Sequence, residues 1–357
     1  MPTSTPPSRP APARASSLER MLTQAWRRRG PLACALWPLS LPFRLLAGAR
    51  AALYAAGVLA SERMPVPVIV VGNIFIGGTG KTPLTIWLVH ALRAAGLRPG
   101  VISRGHGGQG EGVRALTPSS QACEVGDEPL LIAQSARCPV VVGRARAQAA
   151  RLLLSMHPEV DVLVSDDGLQ HYALQRDVEI ILFDARGPGN GWLLPAGPLR
   201  EGRARRRDFT VVNAPELTSA LRAAVGGAPF QMLLAGQCAE RLAQRAERVE
   251  LSALAASGQR LAACAGIGNP ERFFAMLRAA GLHFAELALP DHHDFLDRPF
   301  DRLDADIILI TEKDAVKCAQ IETLKNDPRL WVVPVAAQID AALAQQIVEK
   351  CRGRSPA

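Results

Sequence analysis

Residues 68–83 read Val68-Ile69-Val70-Val71-Gly72-Asn73-Ile74-Phe75-Ile76-Gly77-Gly78-Thr79-Gly80-Lys81-Thr82-Pro83. The first four form a short, unbroken apolar run, the pattern of a strand covered on both faces. A glycine-rich loop follows, then Lys-Thr, then a helical stretch to about residue 95. Strand, loop, Lys-Thr and helix in that order give the context of a phosphate-binding loop. Glycines let backbone N–H groups point at phosphate oxygens, and the helix N-terminus adds a favourable dipole. Gly77, Gly78, Thr79 and Gly80 would cradle the phosphates of ATP. Lys81 would reach the β- and γ-phosphates, and the Thr82 hydroxyl would bind Mg²⁺. One position departs from the usual G-x-x-x-x-G-K-[ST] spacing, because Phe75 stands where the first glycine belongs. The competing reading is a glycine-rich turn with no ligand.

Apolar runs at 101–103, 140–142, 162–164, 180–183 and 210–212 continue the pattern, with helical stretches near 129–136 and 144–156. This βα alternation predicts an α/β fold: a doubly wound parallel sheet like that of P-loop NTPases. Ligands of such sheets sit where the strands end, so the residues just after each run carry the chemistry. The run 162–164 ends in Ser165-Asp166-Asp167-Gly168-Leu169-Gln170-His171. An Asp there, downstream of a phosphate loop, is the usual Mg²⁺-side carboxylate. Asp184, after 180–183, is its rival, and helix capping is the plainer role for Asp166 or Asp167. Gly126-Asp127-Glu128-Pro129 puts two acids before a helix, where an acidic first turn is the simpler explanation. Arg104 and Arg146 follow two other strands, where they could hold an anionic substrate.

The chain has 357 residues, 48% hydrophobic and 21% charged. A single core usually stops growing at roughly 250–300 residues, so two domains are expected. These fractions exclude a mostly disordered chain and a multi-span membrane protein. Seven scattered cysteines without Cys-x-x-Cys exclude a disulfide scaffold and a zinc ribbon, and suggest a reducing compartment. The net charge is +8, of which +7 lies in residues 1–61. That placement, beside apolar sequence and away from any nucleic-acid motif, points to an anionic membrane surface and away from nucleic acid. Residues 1–16 are rich in Pro, Ser and Ala and read as disordered. Residues 30–60 are apolar but broken by Arg44 and Arg50, and Pro31, Pro38 and Pro42 interrupt the first part. Neither uncharged run reaches the roughly 18–20 residues that span hydrocarbon. One or two helices lying in the interface are expected, against an ordinary hairpin packed on the protein.

After Gly226-Gly227 a second, smaller α/β unit is expected, with strands at 261–265, 307–310 and 331–335 and a helix at 270–280. The predicted division is 1–61, a disordered start and membrane-interface helical segment; 62–228, the nucleotide domain; 229–340, the smaller domain; and 341–357, a closing helix and tail. The basic run 203–207 reads as a solvated loop or a lipid-phosphate contact. Asp291-His292-His293-Asp294 suggests zinc only weakly, since consecutive residues rarely converge on one ion.

Taken together, the motifs resemble one family, the tetraacyldisaccharide 4′-kinases, which phosphorylate the lipid A precursor. They are GN-x-x-x-GGTGKTP (72–83), SRG (103–105), GDEP (126–129), VG-x-x-R (142–146), DDG-x-QH (166–171), PAGPLRE (195–201), DHH-x-F (291–295) and TEKDAVK (311–317). They cover about residues 62–317, and only their combination is specific. His106 stands where Tyr is expected and Leu169 where Phe is expected. The resemblance implies Mg²⁺-dependent transfer of the ATP γ-phosphoryl to the 4′-hydroxyl of an acylated disaccharide 1-phosphate. Work at the cytoplasmic face of the bacterial inner membrane is expected, and no obligate protein partner is inferred. The resemblance implies that Lys81 and Asp127 are catalytic, Asp127 as the base and His292 as its partner. Thr82, Glu128, Asp166, Asp167 and Gln170 are implied at the metal. Asn73, Arg104, Arg146 and His171 are implied at the substrate. The alternatives are a cytosolic small-molecule P-loop kinase or ligase and a membrane-surface nucleotide switch. Ile76 argues against the switch, whose loops carry a Lys there.

Overall fold

The computed structural model describes residues 17–353. The disordered start expected over 1–16 lies outside the described residues, as does the tail from 354. Eight strands come first: β1 (Val68–Gly72), β2 (Pro99–Ser103), β3 (Arg114–Ala115), β4 (Val140–Val142), β5 (Val162–Asp166), β6 (Val178–Asp184), β7 (Phe209–Asn213) and β8 (Phe230–Ala235). Six more build a second sheet: β9 (Cys238–Arg241), β10 (Arg248–Glu250), β11 (Leu261–Ala265), β12 (Ala285–Ala288), β13 (Ile307–Thr311) and β14 (Leu330–Val333). The chain then returns to the first sheet with β15 (Ala336–Ile339).

The first sheet has the order β15-β8-β7-β6-β1-β5-β2-β4-β3. Its seven inner strands are parallel, and an antiparallel strand closes each edge. Six of these inner strands, all but β8, are the continuous apolar runs read from the sequence, as expected of strands covered on both faces. β1 lies between β5 and β6, with Val71 level with Asp166 on one side and Ile180 on the other. The strands on either side of the glycine loop therefore end in Asp166 and Asp184.

The second sheet has the order β10-β9-β14-β13-β11-β12, with four parallel strands and an antiparallel β9–β10 hairpin. The chain crosses between the sheets twice, at 236–237 and 334–335. The division expected at 228/229 and 340/341 differs from this topology. β8 and β15 pair with the first sheet, and Leu343, Ile347, Val348 and Cys351 of the helix Ala341–Arg352 join its core. Gly226-Gly227 marks a turn before β8 and does not mark the change of sheet.

Helix α3 (Lys81–Ala94) follows the glycine loop. Its N-cap is Gly80, at φ 98, and the chain leaves it through Gly96, at φ 83. Both positions are in the left-handed region that favours glycine. Pro83 sits in the first turn, where backbone N–H groups have no intrahelical partner to lose. Leu84, Leu88 and Leu92 are fully buried on one face, each contributing about 2 kcal/mol by removal from water.

At the N-terminus, α1 (Ser17–Ala25) precedes α2 (Pro31–Ala55). The interruption expected at Pro38 and Pro42 does not occur, because α2 runs through both as one helix of 25 residues. It is long and apolar enough to cross a membrane, and most of it is uncovered. Ala33 and Ser40 are its buried residues, while Leu39, Leu41, Leu45 and Leu46 face outward. Ser40 Oγ donates to Leu193 O and accepts from Ala196 N, and Trp26 Nε1 donates to Pro195 O. These bonds fasten the segment to the loop at 190–200. That loop is joined in turn to the glycine loop by Ile76 N to Pro198 O and Arg200 N to Ile74 O.

Candidate active site

The glycine loop is shaped by its own side chains. Asn73 Nδ2 donates to Gly77 O and to Thr79 Oγ1, and Asn213 Nδ2, from the end of β7, donates to Thr79 O. A Cβ on Gly80 would lie 2.6 Å from Asn213 Nδ2, so only glycine fits there. Phe75, in place of the usual glycine, is buried and carries the Arg186 guanidinium 4.5 Å over its ring. It supports the loop from below. Leu169, the other departure, packs where a Gly72 side chain would be, its Cγ 2.7 Å from an ideal Cβ.

Lys81 leads α3 with its Nζ 3.5 Å from Asn73 Oδ1 and 3.6 Å from Asp167 Oδ1. Asp166, at the end of β5, is buried; it accepts from Thr85 Oγ1 (3.0 Å) and Ser103 Oγ (3.3 Å). Burial, with the charges of Glu128 and Asp167, pushes its carboxyl up to about 7. A carboxyl so placed gains from a nearby cation. Asp167 has a left-handed backbone, φ 49, and its buried Oδ1 makes no hydrogen bond. Thr82, Asp166, Asp167 and Glu128 thus offer hard oxygen donors that fit Mg²⁺. Among the described residues no three His, Cys, Asp or Glu side chains form a metal cluster.

Gln170 is engaged elsewhere than expected. Its amide donates to Glu201, which also accepts from Tyr172 and Arg205. Arg146 is 2% exposed and donates to Gly143 O and Asp166 O. It braces the ends of two strands, whereas Arg104 is exposed. His171 is half-buried, and burial with Arg146, Arg104 and Arg50 nearby pushes its pKa down to about 4. A neutral imidazole ringed by three cations suits an anion. The run 203–207 divides: Arg203 and Arg206 are exposed, as a solvated loop predicts, whereas Arg205 is tied to Glu201 and Glu179, and Arg207 to Thr210 and Val225 O.

Asp127 opens the helix Asp127–Ala136 in the first body, and His292 lies on a loop of the second at φ 60. His292 Nδ1 is 3.1 and 3.0 Å from the two Asp127 oxygens. Asp127 is 3% exposed. Burial alone would raise its pKa. The hydrogen bond from His292 and the charges of Lys313, His292 and Lys317 outweigh burial and hold it below the usual 3.8. The same bond raises His292, against burial. Both shifts favour a carboxylate–imidazolium pair. His106 meets the His292 ring edge-on at 5.3 Å, so the 103–107 loop borders the pair. The 291–294 residues diverge: Asp291 pairs with Lys313, His293 Nδ1 accepts from Phe295 N, and Asp294 accepts from Leu296 N.

The sequence reading gave no role to Lys313 and Lys317, although both lie in the TEKDAVK motif. Lys313 Nζ bridges Glu128 and Asp291 at 3.1 Å each, and Lys317 Nζ is 3.5 Å from Asp127 Oδ2. Their i, i+4 spacing on one helix face was the available signal. Thr85, Ser103 and Asn213 were also missed. Each acts through a contact distant in sequence.

A seven-strand parallel core with a glycine loop between two acid-tipped strands and a basic residue leading the next helix is the architecture of a P-loop kinase. The profile of the Tetraacyldisaccharide-1-P 4′-kinase family matches residues 32–352. The tetraacyldisaccharide 4′-kinase of Janthinobacterium sp. (strain Marseille) is 61% identical over 347 residues, covering 95% of this chain and 98% of that protein. That of Herminiimonas arsenicoxydans is 58% identical over 351 residues, covering 95% and 98%. Among solved structures, the "apo" form of LpxK from Aquifex aeolicus in complex with ATP superposes with a TM-score of 0.73 at 28% identity, covering 89% of this chain and 99% of that one. The chain belongs to the tetraacyldisaccharide 4′-kinase family.

Proposed function

We propose that this chain transfers the γ-phosphoryl group of ATP to the 4′-hydroxyl of a tetraacyldisaccharide 1-phosphate, a step of lipid A biosynthesis. The observation that carries the reading is the Asp127–His292 contact, which joins the nucleotide-binding body to the second body. A sugar hydroxyl needs a base within hydrogen-bond reach of its proton. Asp127 takes that proton. His292 orients the carboxylate through Nδ1. Lys81 holds the β- and γ-phosphates, and the Gly77–Gly80 backbone cradles them. Thr82 and one or two of the carboxylates Asp166, Asp167 and Glu128 would hold Mg²⁺, which would neutralise phosphate charge when bound. Arg104 and His171 face the acceptor's anionic groups. Asn73 orders the loop, and Arg146 fixes the strand ends around it.

The nucleotide body comprises residues 62–235 and 336–352, and the second body closes the acceptor side with 238–333. The outward leucines of α2, with Arg44 and Arg50, lie in the cytoplasmic face of the inner membrane, where the acylated acceptor is found. Phosphate transfer is measured with the acylated disaccharide 1-phosphate in mixed micelles and with a deacylated, soluble disaccharide phosphate. Turnover of the acylated acceptor, with little for the soluble one, is expected. Equal turnover of both would overturn the lipid reading in favour of a soluble-metabolite kinase. ATP hydrolysis with no transfer to either would favour a nucleotide switch.

A further inference from the structure

The far side of the phosphate loop carries a charge cluster that the reaction described above leaves unused. Asp184, at the end of β6, is 2% exposed. Arg186 grips it through Nε, 3.1 and 3.0 Å from the two oxygens, and through Nη2 at 2.6 Å. Arg272 reaches the same carboxylate from the first turn of the helix Pro270–Ala279 in the second body, with Nη2 at 3.2 Å. One carboxylate thus answers two guanidiniums, and a positive charge is left over. Burial and the neighbouring Arg186 lower the Arg272 pKa, with Asp184 acting against them.

That surplus sits at the loop. Arg186 Nη2 lies 3.5 Å from where a Gly77 side chain would begin, and the Gly77 backbone is left-handed, at φ 110. The turn before the Arg272 helix also abuts the loop, since a Cβ on Gly268 would lie 3.5 Å from Gly78 N. The two arginines are held differently. Arg186 is fixed by three contacts to Asp184 and by the Phe75 ring beneath it. Arg272 has a single bond to Asp184 and is 29% exposed. Its fork can swing to an anion with greater charge than one carboxylate.

We propose that Arg272 is a catalytic arginine supplied by the second body: it leaves Asp184 to hold the γ-phosphoryl oxygens during transfer, while Arg186 stays as a fixed charge beside Gly77. In the transfer, the bond from the γ-phosphorus to the β–γ bridging oxygen breaks and ADP keeps its electron pair. The acceptor oxygen bonds the phosphorus, and its proton passes to Asp127. Charge spreads over the three equatorial oxygens meanwhile, and a planar guanidinium meets it better than an ammonium does. Asp184 parks Arg272 near the loop, so its arrival depends on the second body being closed.

The proposal rests on the phosphate-loop reading, so Lys81→Ala is assayed beside Arg272→Ala and Arg272→Lys. Arg272→Ala is expected to lower kcat about 10³-fold, the low end for such arginines, and to leave the Kd of ATP within about threefold. Arg272→Lys, which keeps a cation for Asp184, is expected to show the same loss. Added guanidinium ion should restore part of the Arg272→Ala rate. With Mg²⁺ present, both variants should lose the tighter binding of ADP with aluminium fluoride, a mimic of the transferring group, over ADP alone. A kcat within threefold of wild type, or equal losses in both affinities, would reduce Arg272 to a structural tie and overturn the proposal. An inactive Lys81→Ala beside an unimpaired Arg272→Ala would overturn the arginine role alone. An active Lys81→Ala would overturn the loop reading and this proposal with it.

Discussion

Asp166 and Asp184 occupy equivalent places, each ending a strand that pairs with β1. Both are buried. Their surroundings are opposite. Asp166 is met by two hydroxyls and by the charges of Glu128 and Asp167, so its own charge is poorly balanced. Asp184 is enclosed by two guanidiniums. A carboxylate short of positive charge attracts a metal ion, whereas one saturated with arginines positions them. Place in the fold made the two acids rivals for Mg²⁺, and the charge around each supports the proposed role of Asp166.

The largest test removes the group that both flanks serve. Lys81→Ala should lower turnover by at least about 10³-fold, because it is the one basic side chain of the loop itself. Steady-state phosphate transfer checks this, and near-normal rates would dissolve the comparison altogether. Next, Asp127→Ala and His292→Ala should each lower kcat by about 10²–10⁴-fold, with ATP affinity little changed. The double variant should be far less impaired than the product of the two, since paired groups are non-additive. Fully multiplicative losses in kcat would separate the pair.

The flanks themselves are compared through Asp166→Asn and Asp184→Asn. The first should raise the Mg²⁺ concentration needed for half-maximal rate by about tenfold, the scale of one carboxylate's effect on metal affinity. The second should leave that requirement unchanged while lowering kcat. A Mg²⁺ titration reads both, and a raised requirement in Asp184→Asn would make the two sites equivalent after all.

The smallest effect concerns pH. His292 has a folded pKa above 6.5, while Asp127 stays ionised well below that range. The pair's contribution to stability is therefore fully present below pH 6.5 and is lost as pH rises through the raised value. The Tm difference between wild type and His292→Ala should be larger at pH 6 than at pH 9, by on the order of 1–2 °C, because His292 is partly solvated. A difference that grows with pH would reverse the assigned charges.

The phosphate loop was legible because its evidence is contiguous: an apolar run, glycines, Lys-Thr and a helix within some thirty residues. Most of the parallel strands were legible for the same reason, each being a short apolar run bounded by turn residues; β8 and β12 were not read. Which sheet a run joins is a pairing decision made far away in sequence. β8 and β15, just inside the expected 229–340 unit, pair with the first sheet. The Asp127–His292 contact spans 165 positions and was reached through family resemblance. Nothing local marks Arg272, whose partner is 88 positions away. The helix through Pro38 and Pro42 was misjudged because proline was weighed as a breaker. On the uncovered side of α2, apolar side chains rather than a packed neighbour surround those positions.

With α2 on the membrane as proposed, its row of outward leucines changes the units in which the acceptor is counted. An enzyme lying on the bilayer meets a lipid acceptor by diffusion in a plane, so the rate follows the acceptor's mole fraction in the surface. Adding inert phospholipid at constant total acceptor dilutes that surface and slows transfer, although no bulk concentration has fallen. On the proposed membrane reading, the bonds from Ser40 and Trp26 to the loop at 190–200 set the height of the phosphate loop above that plane. ATP arrives in three dimensions and the lipid in two, and the protein's resting posture sets where the two searches cross.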